Sequence, residues 1–321
     1  MTAILTLALK SLFNRKATAG LTVVSIALAV TLLLGVERIR TEAQNSFTST
    51  ISGTDLIIGA RSGPVQLLLY SVFRIGNASN NISWESYKDL AALESIDWTI
   101  PISLGDSHRG YRVMGTTRNY FDHFRYGTKQ QLEFQNGTPF ADLYDAVLGA
   151  EVARELGFRM GDPIVIAHGA GSVSFVEHDD KPFVVAGVLK PTGTPVDRTI
   201  HVSLEGIEAI HLDWQDGIPV QGRTVSAEQA RRLDLTPKQI TAFLVKLKSP
   251  MAIFGVQRMV NNYREEPLTA ILPGVALQQL WEITGVAEKA LMAVSSFVVV
   301  VGMLGMLTAL LTSLNERRRE M

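Results

Sequence analysis

Two stretches of the chain carry no charged residue over a length that matches a bilayer. Residues 17–36 place Leu21, Val23, Val24, Ile26, Leu28, Val30 and Leu32 to Leu34 in one uncharged run. At about 1.5 Å of rise per residue, twenty helical residues span about 30 Å, the thickness of the hydrocarbon core. Residues 290–314 form the second run, through Phe297, Val298 to Val301, Met303, Leu304, Met306 and Leu307. A secretory signal competes for the first run, because Lys10, Arg15 and Lys16 precede it. A signal core is only about 7–15 residues long and leads to a small-x-small cleavage site, whereas here the chain continues as Glu37-Arg38-Ile39-Arg40. The pattern predicts two retained transmembrane helices.

Basic residues beside each run set the expected orientation. Lys10, Arg15 and Lys16 precede the first, and Arg317, Arg318 and Arg319 follow the second. The positive-inside rule then puts both ends in the cytoplasm and everything between them outside. Residues 1–16 place Ile4, Leu5, Leu7, Ala8, Leu12 and Phe13 largely on one helical face. That fits either a cytoplasmic amphipathic helix under the membrane or a frayed amphipathic terminus. Past each run the helical spacing continues, with Ile39, Ala43 and Phe47 after the first and Leu277, Leu280, Trp281 and Thr284 before the second. Both stretches read as stalks that extend the membrane helices outward and pack on each other; for Trp281, a buried core position is the alternative.

Between the stalks the periodicity is mixed. Strand patterns fall at 55–58, 96–102, 111–114, 164–167, 183–189, 199–202 and 243–247. Helical patterns fall at 84–93, 150–156, 204–210, 226–233 and 251–263. Ser83 is a candidate N-cap for the first helix, and Thr236-Pro237 is expected to start a further short helical turn. The expected fold is a membrane protein in which two transmembrane helices with stalks flank a large α+β extracytoplasmic domain. Its divisions are 1–16 amphipathic helix, 17–36 first span, 37–289 outer domain with stalks, 290–314 second span and 315–321 a cytoplasmic segment.

Composition supports this reading and removes others. The 321 residues are 46% hydrophobic, as a few spanning helices plus a large wet domain require. A net charge of −1, with no basic stripe interleaved with aromatics, excludes a nucleic-acid binder. There is no cysteine, so disulfides, thiolate metal sites and cysteine nucleophiles are absent. No GxxxxGK[ST] loop, GxGxxG after a strand, GxSxG elbow or HExxH helix occurs. The chain is therefore not expected to be an enzyme or to bind a nucleotide, cofactor or metal by itself. Among the histidines, only His178-Asp179-Asp180 clusters with possible metal chemistry. Adjacent residues point apart, and flanking Phe175-Val176 and Phe183-Val184 make the cluster a hairpin tip.

Four stretches, in order, carry a resemblance. They are LKSLFNRKATAGLTVVSIALAVTLLL (9–34), VLGAEVARELGFRMGDPIVI (147–166), FVVAGVL (183–189) followed by Gly193 and Asp197, and the terminal TSLNERRREM. Together they resemble the ABC transporter permease family that includes MacB, the lipoprotein-releasing LolC/LolE pair and FtsX. Gly149 and Gly157 suit helix boundaries and Gly161-Asp162 a turn before a strand, so these are read as structural positions. The resemblance implies a MacB-like periplasmic core domain, a bacterial inner-membrane location and a cytoplasmic ABC ATPase partner that uses ATP. It also implies a second permease copy or homologue in a dimer, and leaves an extracytoplasmic adaptor or substrate-delivery protein open. Asn315, Glu316, Arg317, Arg318 and Arg319 are the implied ATPase-coupling residues, although the arginines serve equally as topology anchors. Family members have four spans, so a chain reaching Met321 is read as a fragment that stops in the coupling segment. An FtsX-like signalling protein and a two-span sensor are the alternative functions.

Residues 61–76, RSGPVQLLLYSVFRIG, stand out beyond the membrane runs. Pro64 suits the first position of a short helix, on which Val65, Leu68, Leu69 and Val72 share one face that Phe73 widens. Two readings stand side by side: a membrane-proximal apolar element that meets substrate, lipid or the second subunit, and an ordinary core helix.

Overall fold

The computed structural model describes residues 16–169, 180–215, 218–219 and 225–320. The sequence-predicted amphipathic segment before Lys16 and the His178-Asp179 part of the hairpin tip lie outside the described residues. The chain divides into two compact units, one made of residues 1–45 and 281–321 and the other of residues 46–280.

Two long helices dominate the chain ends. Helix α1 covers Lys16–Ser49 and α9 covers Pro273–Glu320, 34 and 48 residues respectively. Helix therefore continues through the positions read as stalks. Most of the described apolar side chains of the uncharged runs are exposed along them, Leu21 at 69% and Phe297 at 70%. Among the described residues no helix is long and apolar enough to cross a membrane; side chains at intervals along both helices lie outside the described set. The expectation of two spans thus carries forward as a proposal.

Residues 46–280 are built on one sheet. Its main path uses β1 (Leu56–Ala60), β2 (Ile96–His108), β3 (Tyr111–Thr116), β4 (Phe134–Gly137), β5 (Asp145–Leu148), β6 (Phe183–Leu189), β7 (Thr199–Ser203), β8 (Ala242–Leu247) and β9 (Leu268–Ile271) in the order β9-β1-β8-β2-β3-β7-β5-β6-β4. Pairs β3·β7 and β5·β6 are parallel and the other neighbours antiparallel. Around it lie α2 (Pro64–Ser71), α3 (Trp84–Ala91), α4 (Asn119–His123), α5 (Ala150–Leu156), α6 (Leu204–His211), α7 (Ala227–Ala230) and α8 (Ile253–Asn261).

Burial explains the strand sequences. All five residues of β1 are buried, because successive side chains of a strand alternate between faces and both faces are covered. Ile57 packs with Leu67, Leu68 and Phe73, while Leu56 and Ile58 pack with Leu90, Val256 and Val260. A continuous LIIGA run rather than apolar–polar alternation is the expected signature of such a strand. A third cluster, with Val113, Ala146, Leu148, Ile200 and Val202, packs beneath Val152 of α5 and Ile207 of α6.

Most predicted elements are present, and the differences have local causes. The Ser83 side chain caps α3 by accepting from Ser86 N. Thr236-Pro237 starts no helix: the Thr236 amide and hydroxyl both donate to Asp234 Oδ1, at 2.9 and 2.6 Å, and this side-chain-closed turn leads into Gln239–Ile240. The single strand expected at 164–167 is two short pieces. Pro163–Ile164 pairs with β6, and Ala167–His168 then crosses to pair with β2. Strands β4, β5 and β9 and helix α4 were not legible as periodic runs. Each is only four or five residues long, too short to show a period.

Candidate functional site

The residues that carried the middle part of the resemblance, within 147–166 and at Gly193 and Asp197, meet at one junction. Gly149 is the N-cap of α5 and Gly157 its C-cap, the latter left-handed at φ 72°. A Cβ on Gly149 falls 2.2 Å from the Val196 carbonyl oxygen, so only glycine permits this approach. The Gly149 amide donates to Thr199 O at 2.9 Å, tying the start of α5 to the start of β7. The approaching segment is itself locked. The Asp197 carboxylate accepts from the Thr192 amide and hydroxyl and from the Gly193 amide, at 2.8–3.0 Å. Thr194 caps the 3-10 turn Pro195–Arg198, and Arg198 pairs with Glu151 on the first turn of α5. After α5, the Asp162 carboxylate accepts from the Arg159 amide at 2.7 Å, closing the turn before β6's partner strand. The junction is a rigid clasp joining α5, β5, β6 and β7.

Beside the clasp lies a surface cavity of about 450 Å3, lined by Asn136, Ala153, Arg154, Phe158, Arg159 and Met160 among others. Its lining offers two guanidinium groups, two side-chain amides and apolar surface, with no nucleophile or general base.

Two polar groups lie deep in the domain. Lys181 is fully buried, with Nζ 2.6 Å from Asp180 Oδ2 and 3.0 Å from both Asp213 carboxylate oxygens. His201 is also fully buried; burial, helped by the Arg74 guanidinium, lowers its imidazole pKa to about 3. It packs against Tyr120 and Phe121 and is neutral at ordinary pH.

Among the described residues one group has the composition and closeness to hold a metal ion: Asp106, His168 and His211. Strand β2 supplies Asp106, and the crossing strand pairs His168 directly opposite it. His211 ends α6. His168 Nδ1 lies 3.1 Å and His211 Nε2 3.7 Å from Asp106 Oδ1. The two imidazoles stack at 4.4 Å. Burial lowers the His211 pKa, with His168 acting in the same sense and Asp106 opposing. Nothing in the local sequence marks these residues, which come from three separate segments.

The sites read from the sequence fall in two places. Leu68, Val72 and Phe73 are buried in the central cluster, Leu69 is half-buried against it, and Val65 is half-buried. The buried side chains of this segment pack with Ile57 of β1 and its neighbours, while Val65 and Leu69 keep part of their surface exposed. Asn315, Glu316, Arg317, Arg318 and Arg319 lie in the last turns of α9.

A family model described as MacB-like periplasmic core domain matches residues 19–263. Among solved structures, the chain is similar to the extracellular domain of the noncanonic ABC-type transporter YknZ from Gram-positive bacteria, at 13% identity over 68% of this chain and 99% of that one, TM-score 0.39. It is also similar to the periplasmic region of MacB from Actinobacillus actinomycetemcomitans, at 12% identity over 72% and 94%, TM-score 0.41. Comparison with curated proteins returns no match.

Proposed function

The chain belongs to the MacB-like periplasmic core domain family, and from that premise we propose that it is the permease subunit of an ABC transport system. In this reading α1 and α9 cross the inner membrane through 17–36 and 290–314. Both ends are cytoplasmic, and residues 46–280 stand outside. A separate cytoplasmic ATPase binds ATP and closes, the membrane helices tilt, and the outer domain of each copy in a dimer moves with them. Substrate is shifted on the outer side of the membrane.

One observation carries the reading. Residues 50–272 lie in the chain between helices of 34 and 48 residues, on which many large apolar side chains, Leu21, Leu28, Phe297 and Val301 among them, stand exposed. Burying a side chain such as Leu or Phe is worth about 1.5–3 kcal/mol, so a row of them exposed calls for an apolar environment.

The absence of cysteine makes topology directly measurable. Met251, 93% exposed, and Met321 are each replaced by cysteine. In intact spheroplasts an impermeant maleimide is expected to label the Met251→Cys chain and to reach the Met321→Cys chain only after lysis. Equal labelling of both before lysis, or the reverse order, overturns the proposal.

A further inference from the structure

We propose that Asp106, His168 and His211 form a binding site for a divalent transition-metal ion of the Zn2+ class, with one coordination position left for water or an incoming ligand atom. Two imidazoles and one carboxylate form a donor set suited to such ions. Bonds of about 2.0–2.2 Å in a tetrahedral site put neighbouring ligand atoms about 3.3–3.6 Å apart. The observed 3.1 and 3.7 Å separations to Asp106 Oδ1 bracket that spacing, and one ligand atom from each residue lies within 4.8 Å of the other two.

Asp106 is buried, and among the described residues its Oδ1 accepts no hydrogen bond. His168 Nδ1 lies 3.1 Å and His211 Nε2 3.7 Å from that oxygen. Both rings converge on the same oxygen while stacked on each other. The carboxylate side chain is 6% exposed and the imidazoles 29% and 25%, so an ion reaches the site from solvent while the anion stays shielded. Three elements, β2, the crossing strand and the end of α6, hold the ligands, which makes the site an expected clamp between them.

The test uses the full chain in detergent, without a polyhistidine tag, stripped with a chelator and titrated with Zn2+ by calorimetry and with Co2+ by visible absorption. One Zn2+ per chain is expected, together with the visible absorption of Co2+ in a low-symmetry nitrogen–oxygen site. His168→Ala, His211→Ala and Asp106→Asn are each expected to weaken binding at least about tenfold, a loss that outer-shell partners alone can cause. His123→Ala serves as control, because that ring stacks on Trp98, and should bind as the wild type does. No saturable site in the wild type overturns the proposal, and that measurement stands even where a variant fails to fold. So does undiminished binding by folded His168→Ala and His211→Ala chains, or an equal loss in His123→Ala.

Discussion

Gly149 sits against the backbone of Asp197 so closely that a Cβ on the glycine falls 2.5 Å from the Asp197 carbonyl oxygen. The obstacle is backbone held by the Asp197 carboxylate's own hydrogen bonds, so the neighbour cannot give way. Gly149→Ala is therefore expected to destabilise by about 3 kcal/mol or more. Gly157→Ala, with open space around it but φ at 72°, should cost about 1–2 kcal/mol. Thermal melts of both variants check the ranking, and a Gly149→Ala chain that melts like the wild type would refute the clasp.

Lys181 is held by two carboxylates with none of its side chain exposed. Among the described carboxylates, Asp213→Asn leaves the ammonium with the partly exposed Asp180, and a broken buried pair costs about 3–5 kcal/mol. Adding Lys181→Met removes the stranded charge. The double variant is expected to melt higher than Asp213→Asn alone, and the opposite order would mean the ammonium is solvated.

His201 makes stability depend on pH. Its imidazole titrates near 6.5 in the unfolded chain and at about 3 in the fold, chiefly because burial disfavours the charged ring. Between those values the unfolded state binds a proton that the native state does not, so stability rises with pH. It is fully present above about 6.5 and falls on acidification by up to about 1.4 kcal/mol per pH unit. His201→Gln should show a shallower loss between pH 6.5 and 4 in denaturant titrations. Parallel wild-type and variant curves would remove this assignment.

Leu68 and Val65 separate the two readings of the 61–76 segment. Leu68→Asp puts a charge where 1% of the side chain is exposed and should cost several kcal/mol. Val65→Asp, half-buried at the first turn of α2, should cost much less. Equal, small effects on the melt would restore the idea of a surface element.

The three arginines at the end of α9 test the proposed coupling. Replacing Arg317, Arg318 and Arg319 together by alanine is expected to lower the yield of complex with the ATPase, with the C-terminal cysteine still labelled only after lysis. Unchanged complex yield and unchanged topology would remove these residues from the coupling role. Inverted labelling would assign them to topology.

What the sequence determined by itself is the local grammar of the chain. Strand Phe183–Leu189 and helix Ala150–Leu156 stand at the bounds their residues predict, because a run of seven apolar or amphipathic positions shows its period without reference to anything distant. Gly149 and Gly157 were legible for the same reason, as caps answer to neighbours one or two residues away. Tertiary structure alone decided what covers each surface. The apolar breadth of 61–76 suits a core helix and an exposed element equally, and only the fold shows Leu68 and Phe73 packed with Ile57. Strand β5 has four residues, and its place between β6 and β7 comes from pairing with segments far along the chain. The Asp106, His168 and His211 group has no sequence signal at all. It exists because the segment after Ile164 leaves β6 for β2, and sheet pairing between distant segments is a property of the whole fold rather than of any window of sequence.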